Sequence, residues 1–324
     1  MQARRMVLAG LIVGILALTP VLGVSADAEY TIYFLGVQPS VDPAFVVFLK
    51  GVTEADAILP NVEVVYMGLT AEEINPEGII DKLETAIAAK ADGIVTGFWM
   101  LEAEDEVVRR AIAQGIPVMA YNQPDPRPKG ERIPYLGFVG VNPFNIGEEM
   151  AYEMMRHVTI ERAAIGIHHV GSASVETTAS GIASVLDEQG IPNEKLDITI
   201  EPSTAISVLT SYLTRYPETN VIFLLGAAGS DPAITLVREQ GLEGEVFLGT
   251  IEVTDKVSQA LEDGIALFGV VQQSWAQAYY AIVELYNYLE FGIFPSEEML
   301  TGPIFITADN LDTYQKQLEE VGGG

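Results

Sequence analysis

Cysteine is absent from all 324 residues, so the chain can form no disulfide, no zinc–thiolate site and no thiol nucleophile. It cannot be a cysteine-anchored lipoprotein either. Basic residues are scarce: 17 Lys plus Arg stand against 45 Asp plus Glu, a formal charge of −28. Such a chain repels nucleic-acid phosphates and anionic lipid, so no nucleic-acid partner is expected. The acidity fits a saline setting or a solvated surface that keeps an exported protein soluble, and both readings stay open. Only three histidines occur, His157, His168 and His169. The last two are neighbours at a strand end, face opposite sides and have no carboxylate pair nearby, so they read as cleft-lining or satisfied side chains, not metal ligands. Cofactor and nucleophile signatures are missing too. "FLGVQPSVDP" follows the first apolar run in place of G-x-G-x-x-G, no G-x-x-x-x-G-K-S/T occurs, and "GSASVETTASG" lacks the G-x-S-x-G elbow. No cofactor, metal or catalytic residue is expected, which disfavours an enzyme.

What is present begins with an export signature. Arg4 and Arg5 precede an apolar run from Met6 to Val24, and small residues follow at Val24-Ser25-Ala26 and Ala26-Asp27-Ala28. The pattern predicts a signal peptide over 1–26, cleaved after Ala26 or Ala28, and a periplasmic or extracellular protein. The run approaches membrane-spanning length, which leaves a retained anchor as the alternative. Without Arg4 and Arg5 the exported chain is two units more negative.

After this segment one pattern repeats: a short β-rich apolar run, a turn, then an amphipathic helical run. "YTIYFLGV" leads to "PAFVVFLKGVTEADAI", "NVEVVYMG" to "PEGIIDKLETAIAAK" and "DGIVTGF" to "LEAEDEVVRRAIAQ", while "GIPVMAY" leads to a proline-rich loop over 122–134. A second series starts at "IPYLGFVGV" and runs through "AAIGIHHVG", "LDITI", "NVIFLLGAA" and "EVFLGTI" to the strand over 265–271. Ile79, Ile80, Leu83 and Ile87 make one apolar helical stripe. Strands alternating with such helices predict an α/β fold of parallel sheets. About ten strands exceed one compact sheet, and a break near "GFVGVNPFN" divides them into two Rossmann-like halves with a small-molecule cleft between them.

The strand ends carry amides, carboxylates and aromatics: Asp42 and Phe45 after the first, Phe98 and Trp99 after the third, Asn122 and Gln123 after the fourth, Asn142 and Phe144 after the fifth, His168 after the sixth, Glu252 after the ninth, and Gln272 with Gln273 after the tenth. In open α/β sheets ligands bind at that edge. Planar polar groups hydrogen-bond adjacent hydroxyls and aromatic faces stack on sugar C–H faces, so the set suits a neutral polyol. Each residue also has a structural reading. Phe45, Phe98 and Phe144 fit a core, Asp42 a cap on a helix beginning at Pro43, and Asn122 a turn before Pro124. Trp275 and Tyr279, at helical spacing, read mostly as first-lobe core, with Trp275 near enough to the strand end to wall the cleft.

From about Tyr30 to Leu311 the chain resembles the type I periplasmic sugar-binding proteins that serve ABC transporters. The resemblance rests on "VDPAFVVFLKG", "KADGIVTG", "AIAQGIPVMAYN", "FVGVNPFNIGEEMA", "GTIEVTDKVSQALEDG", "VVQQSWAQAYYAI" and "TGPIFITADN", in that order. It implies two lobes joined by three crossover segments, 28–141 plus 274–301 and 142–273 plus 302–324, closing on a sugar as a monomer that meets a membrane permease. It also implies ligand contacts at Asp42, Phe45, Asn122, Asn142, Glu252 and Gln272. Two departures stand out. Gln123 replaces an arginine common in ribose binders, and Thr178 replaces an arginine of many members, so two bidentate forks are lost. Glu252 replaces the usual aspartate and has no cationic partner in the pattern; buried alone it would be costly, so ligand hydroxyls, water or a cationic ligand would have to satisfy it. A sensory binding protein of the same fold, and a binder of an organic cation caged by Phe45, Phe98, Trp99 and Trp275 with Glu252, remain alternatives.

Overall fold

A computed structural model describes residues 28–42 and 44–321. The expected signal peptide over 1–26, Pro43 and residues 322–324 lie outside the described residues. The first of two six-stranded sheets holds β1 (Tyr30–Val37), β2 (Val62–Leu69), β3 (Gly93–Thr96), β4 (Val118–Asn122), β5 (Phe138–Gly140) and β11 (Glu298–Leu300). They run in the order β11-β5-β4-β3-β1-β2, every pair parallel. The second holds β6 (Ala163–Ile167), β7 (Asn193–Asp197), β8 (Val221–Leu224), β9 (Phe247–Ile251), β10 (Ala266–Val271) and β12 (Ile304–Ile306). Its order, β12-β10-β9-β8-β6-β7, repeats the first, with β12 alone antiparallel to its neighbour.

Helices cover both faces of each sheet, which is why the strands are continuous apolar runs: Ile32, Phe34 and Leu35 of β1 have no solvent exposure. α1 (Phe45–Ile58) packs with α9 (Ser274–Phe291) on one face of the first sheet, and α2 (Pro76–Ala88) with α3 (Leu101–Ala113) on the other. In α2 the Asn75 side chain accepts the Gly78 N–H as N-cap, Pro76 occupies the first turn, and Ile79 and Leu83 of the predicted stripe are buried. On the second sheet α4 (Pro143–His157) and α5 (Ala173–Glu188) share one face and one core. α6 (Pro202–Arg215), α7 (Ala227–Gln240), α8 (Asp255–Glu262) and α10 (Leu311–Val321) enclose the other.

The chain passes between the sheets three times: from β5 to α4, from β10 to α9, and from β11 to β12. Thr301 ties the three passages together. Its N–H donates to the Gly140 carbonyl (2.8 Å), its hydroxyl donates to the Gln272 carbonyl (2.8 Å), and its own carbonyl accepts from Gln273 Nε2 (2.8 Å).

Several elements depart from the sequence expectation. β7 lies earlier than "LDITI": as an edge strand pairing only with β6 it tolerates exposed Glu194 and Lys195, and Thr199 at φ +55° stands just beyond its end. α7 starts at Ala227, before the expected Asp231, and contains Pro232. β11 and β12, three residues each, were not anticipated as strands.

Candidate functional site

On the first sheet the site begins at the carboxyl ends of β1, β3 and β4. Asp42 Oδ1 accepts the Ala44 N–H (3.0 Å), so it organises the turn into α1, whose first residue is Phe45. The Phe45 ring tilts against Phe48 (4.9 Å) and meets Trp99 edge-on (6.1 Å). Trp99 folds back over Gly97, where a Cβ would lie 2.9 Å from the indole, and stands edge-on to buried Tyr121. Glycine is needed at that close approach. β4 ends at Asn122, with φ +58°, whose Oδ1 accepts from Trp99 Nε1 (3.4 Å) and whose Nδ2 donates to Gln277 Oε1 (3.1 Å). Gln277, fully buried in α9, in turn donates Nε2 to the Gln272 carbonyl (2.9 Å). A continuous hydrogen-bond path therefore runs from the indole to the passage between the sheets.

On the second sheet Glu252 follows β9 with φ +71°. It is exposed, and its Oε2 accepts the N–H of Ala227, the first residue of α7 (3.1 Å). The cost expected of this carboxylate if it were buried alone does not arise: the amino terminus of a helix holds the charge, where backbone N–H groups and the helix dipole favour it. Gln272 and Gln273 follow β10, Gln273 with φ +54°. Among the described residues Asn122, Glu252 and Gln273 are three of six non-glycine residues with positive φ, so left-handed backbone collects where these strand ends converge.

Between the two edges lies a cavity of about 1130 Å³. Asp42, Phe45, Trp99, Asn122, Gln123, Glu252, Gln272 and Gln273 all line it, as does Trp275. Trp275 stacks on Tyr279 (4.5 Å, 15°) and donates Nε1 to Glu54 (2.8 Å). Aliphatic and aromatic side chains make up most of the wall, and among the described residues no Lys, Arg or His belongs to it. A second cavity, about 690 Å³ and lined by Asp92, Pro117 and Phe294, lies where β3 and β4 begin. That is the edge opposite to where open α/β sheets take ligands.

Five expected site residues lie outside the large cavity. Phe98, 5% exposed, packs on Tyr135 (5.4 Å) in the first core. Asn142 is the N-cap of α4, its Oδ1 accepting from the Phe144 N–H (3.0 Å), and Phe144 is exposed on that first turn. His168 meets His169 edge-on and covers Gly226, where a Cβ would lie 2.7 Å from the ring. Its Nδ1 is buried with no partner, and burial, assisted by His169, lowers its pKa and favours the neutral ring. Thr178 is buried in α5 and its hydroxyl donates to the Ser174 carbonyl (3.0 Å), beside the close contact with Gly147 of α4. Sequence reasoning missed Gln277, Thr301 and Tyr314. Gln277 had one signal, standing one helical turn after Gln273; nothing marked Tyr314.

Residues 35–292 match the family model described as periplasmic binding protein domain. The chain belongs to the periplasmic binding protein family. This binding protein is 25% identical over 289 residues to the xylose/arabinose-binding protein XylF of Sulfolobus acidocaldarius, covering 84% of this chain and 70% of that protein. Its fold matches the periplasmic ribose ABC transporter structure from Conexibacter woesei, with TM-score 0.76 at 20% identity over 91% of this chain and 97% of that one. It also matches a carbohydrate transporter of Acidothermus cellulolyticus in complex with myo-inositol, with TM-score 0.71 at 22% identity over 90% and 99% of the two chains. The two-lobed type I architecture is thus shared with these solved structures. Among the described residues no helix is long and apolar enough to cross a membrane, and no group of three or more His, Cys, Asp or Glu is placed to hold a metal ion.

Proposed function

We propose that this binding protein is exported, captures one small neutral sugar or polyol between its lobes, and delivers it as a monomer to the permease of an ABC transporter. Its lobes are residues 28–141 plus 274–301 and 142–273 plus 302–324, and its signal peptide is removed after Ala26 or Ala28. The observation that carries the reading is the cavity wall: aromatic faces at Phe45, Trp99 and Trp275 stand among the amides and carboxylates of Asp42, Asn122, Gln123, Glu252 and Gln272, with no cationic side chain among the described residues. Anionic ligands find no counter-charge there, whereas hydroxyls that both donate and accept find partners of each kind. The sugars in the names of the relatives point the same way.

A second reading keeps the fold and changes the ligand. Asp42, Glu252 and Glu320 give the wall negative charge without a base, and Trp99 and Phe45 offer aromatic faces, as an organic cation would require. Thermal-shift screening separates the two, because a ligand that binds only the folded protein raises its melting temperature. D-xylose, L-arabinose, D-ribose or myo-inositol is expected to stabilise the mature protein. Stabilisation by glycine betaine and by none of the four would replace the sugar reading with the cation reading.

A further inference from the structure

The carboxyl-terminal helix supplies a wall of the cavity that neither sheet provides. Leu311, 2% exposed, anchors α10 in the second core. Tyr314, Gln317 and Leu318 follow at three- and four-residue spacing, so they share one face, and all three line the cavity. The Tyr314 ring packs against the second core, and the residue reaches the cavity. Burial raises its pKa and the Glu252 carboxylate adds to the effect, so the phenol keeps its proton. Glu252 accepts the Ala227 N–H at Oε2, and its second oxygen, Oε1, is a further acceptor. One O–H donor and one carboxylate acceptor therefore line the same cavity.

We propose that Tyr314 and Glu252 form a subsite for two neighbouring hydroxyls of the ligand, Tyr314 donating to one oxygen and Glu252 Oε1 accepting from the next, so that Tyr314 helps to set sugar specificity. This rests on the sugar-binding reading. The pairing suits vicinal hydroxyls because each can accept from one group and donate to another.

Isothermal titration of wild type and Tyr314→Phe with D-xylose, L-arabinose, D-ribose and myo-inositol tests it. The substitution keeps the ring and its packing, so the ligand-free variant should melt with the wild type, while affinity for the bound sugar falls about 3- to 10-fold, as loss of one hydrogen bond requires. The loss should vanish for the deoxy analogue of that sugar lacking the contacted hydroxyl. Equal affinity in both proteins overturns the inference and leaves sugar binding standing. An equal loss for every deoxy analogue also overturns it, because Tyr314 would then act on the shape of the site. A wild type that binds none of the four sugars removes the sugar reading and the inference with it.

Discussion

Glu104, in the first turn of α3, has no solvent exposure, and burial pushes its carboxyl up to about 8 from an ordinary 4.5. Oε2 accepts the Met100 N–H (3.0 Å) while Oε1 has no partner, so the acid fixes the start of α3 just behind Trp99. The unfolded chain releases this proton near pH 4.5 and the folded chain keeps it until about 8. Between those values the folded state binds more protons, and stability falls as pH rises, levelling off above 8. Chemical denaturation at pH 5 and pH 8.5 should show this fall in wild type and lack it in Glu104→Gln, the difference amounting to roughly 2–4 kcal/mol. Identical pH dependence in the two would refute the assignment. Residue identity alone concealed this group, since an acid in a helix first turn usually serves as a solvated N-terminal charge. The same limit applies to Asn142 and Thr178. An amide and a hydroxyl at strand or helix ends serve a ligand or a local backbone group equally well, and here they cap α4 and bond within α5. Asp42, Trp99, Asn122, Glu252 and Gln272 were legible as cavity lining because strand termini in parallel sheets converge on one edge.

The seam between α1 and α9 sets one side of the cavity, carrying Phe45 on the first helix and Trp275 on the second. Gly51 permits that closeness: a Cβ there would lie 2.4 Å from the Trp275 carbonyl oxygen and 3.2 Å from Ala278 Cβ. Backbone cannot yield as a flexible side chain can, so Gly51→Ala should force the helices apart and cost about 1–3 kcal/mol, measured by thermal or urea unfolding. An unchanged midpoint would show that the seam is looser than drawn. The long elements were readable from periodicity. Eight-residue β1 and β2 are apolar runs and α2 shows its stripe, whereas β11 and β12 are too short, and on average too exposed, to show any period. Tyr314 was illegible for another reason: its role comes from which elements meet, information that no local pattern holds.

At the scale of the molecule, two sheets of one strand order face each other across a cavity, and the chain passes between them at three points joined through Thr301. At about 1130 Å³ the cavity exceeds the ~300–1,000 Å³ that ligand pockets usually offer, and a monosaccharide would fill a small part of it. Full burial of such a ligand therefore calls for the lobes to draw together about the three passages, a hinge closure in which few backbone angles change. The path from Trp99 through Asn122 and Gln277 to the Gln272 carbonyl links a cavity wall to that hinge. Small-angle X-ray scattering of the protein from residue 28 onward at millimolar D-xylose, L-arabinose, D-ribose and myo-inositol tests capture between lobes most directly. The account predicts a smaller radius of gyration with at least one of the four, saturating at one sugar per chain. Scattering curves that superimpose on the ligand-free curve for all four would contradict it.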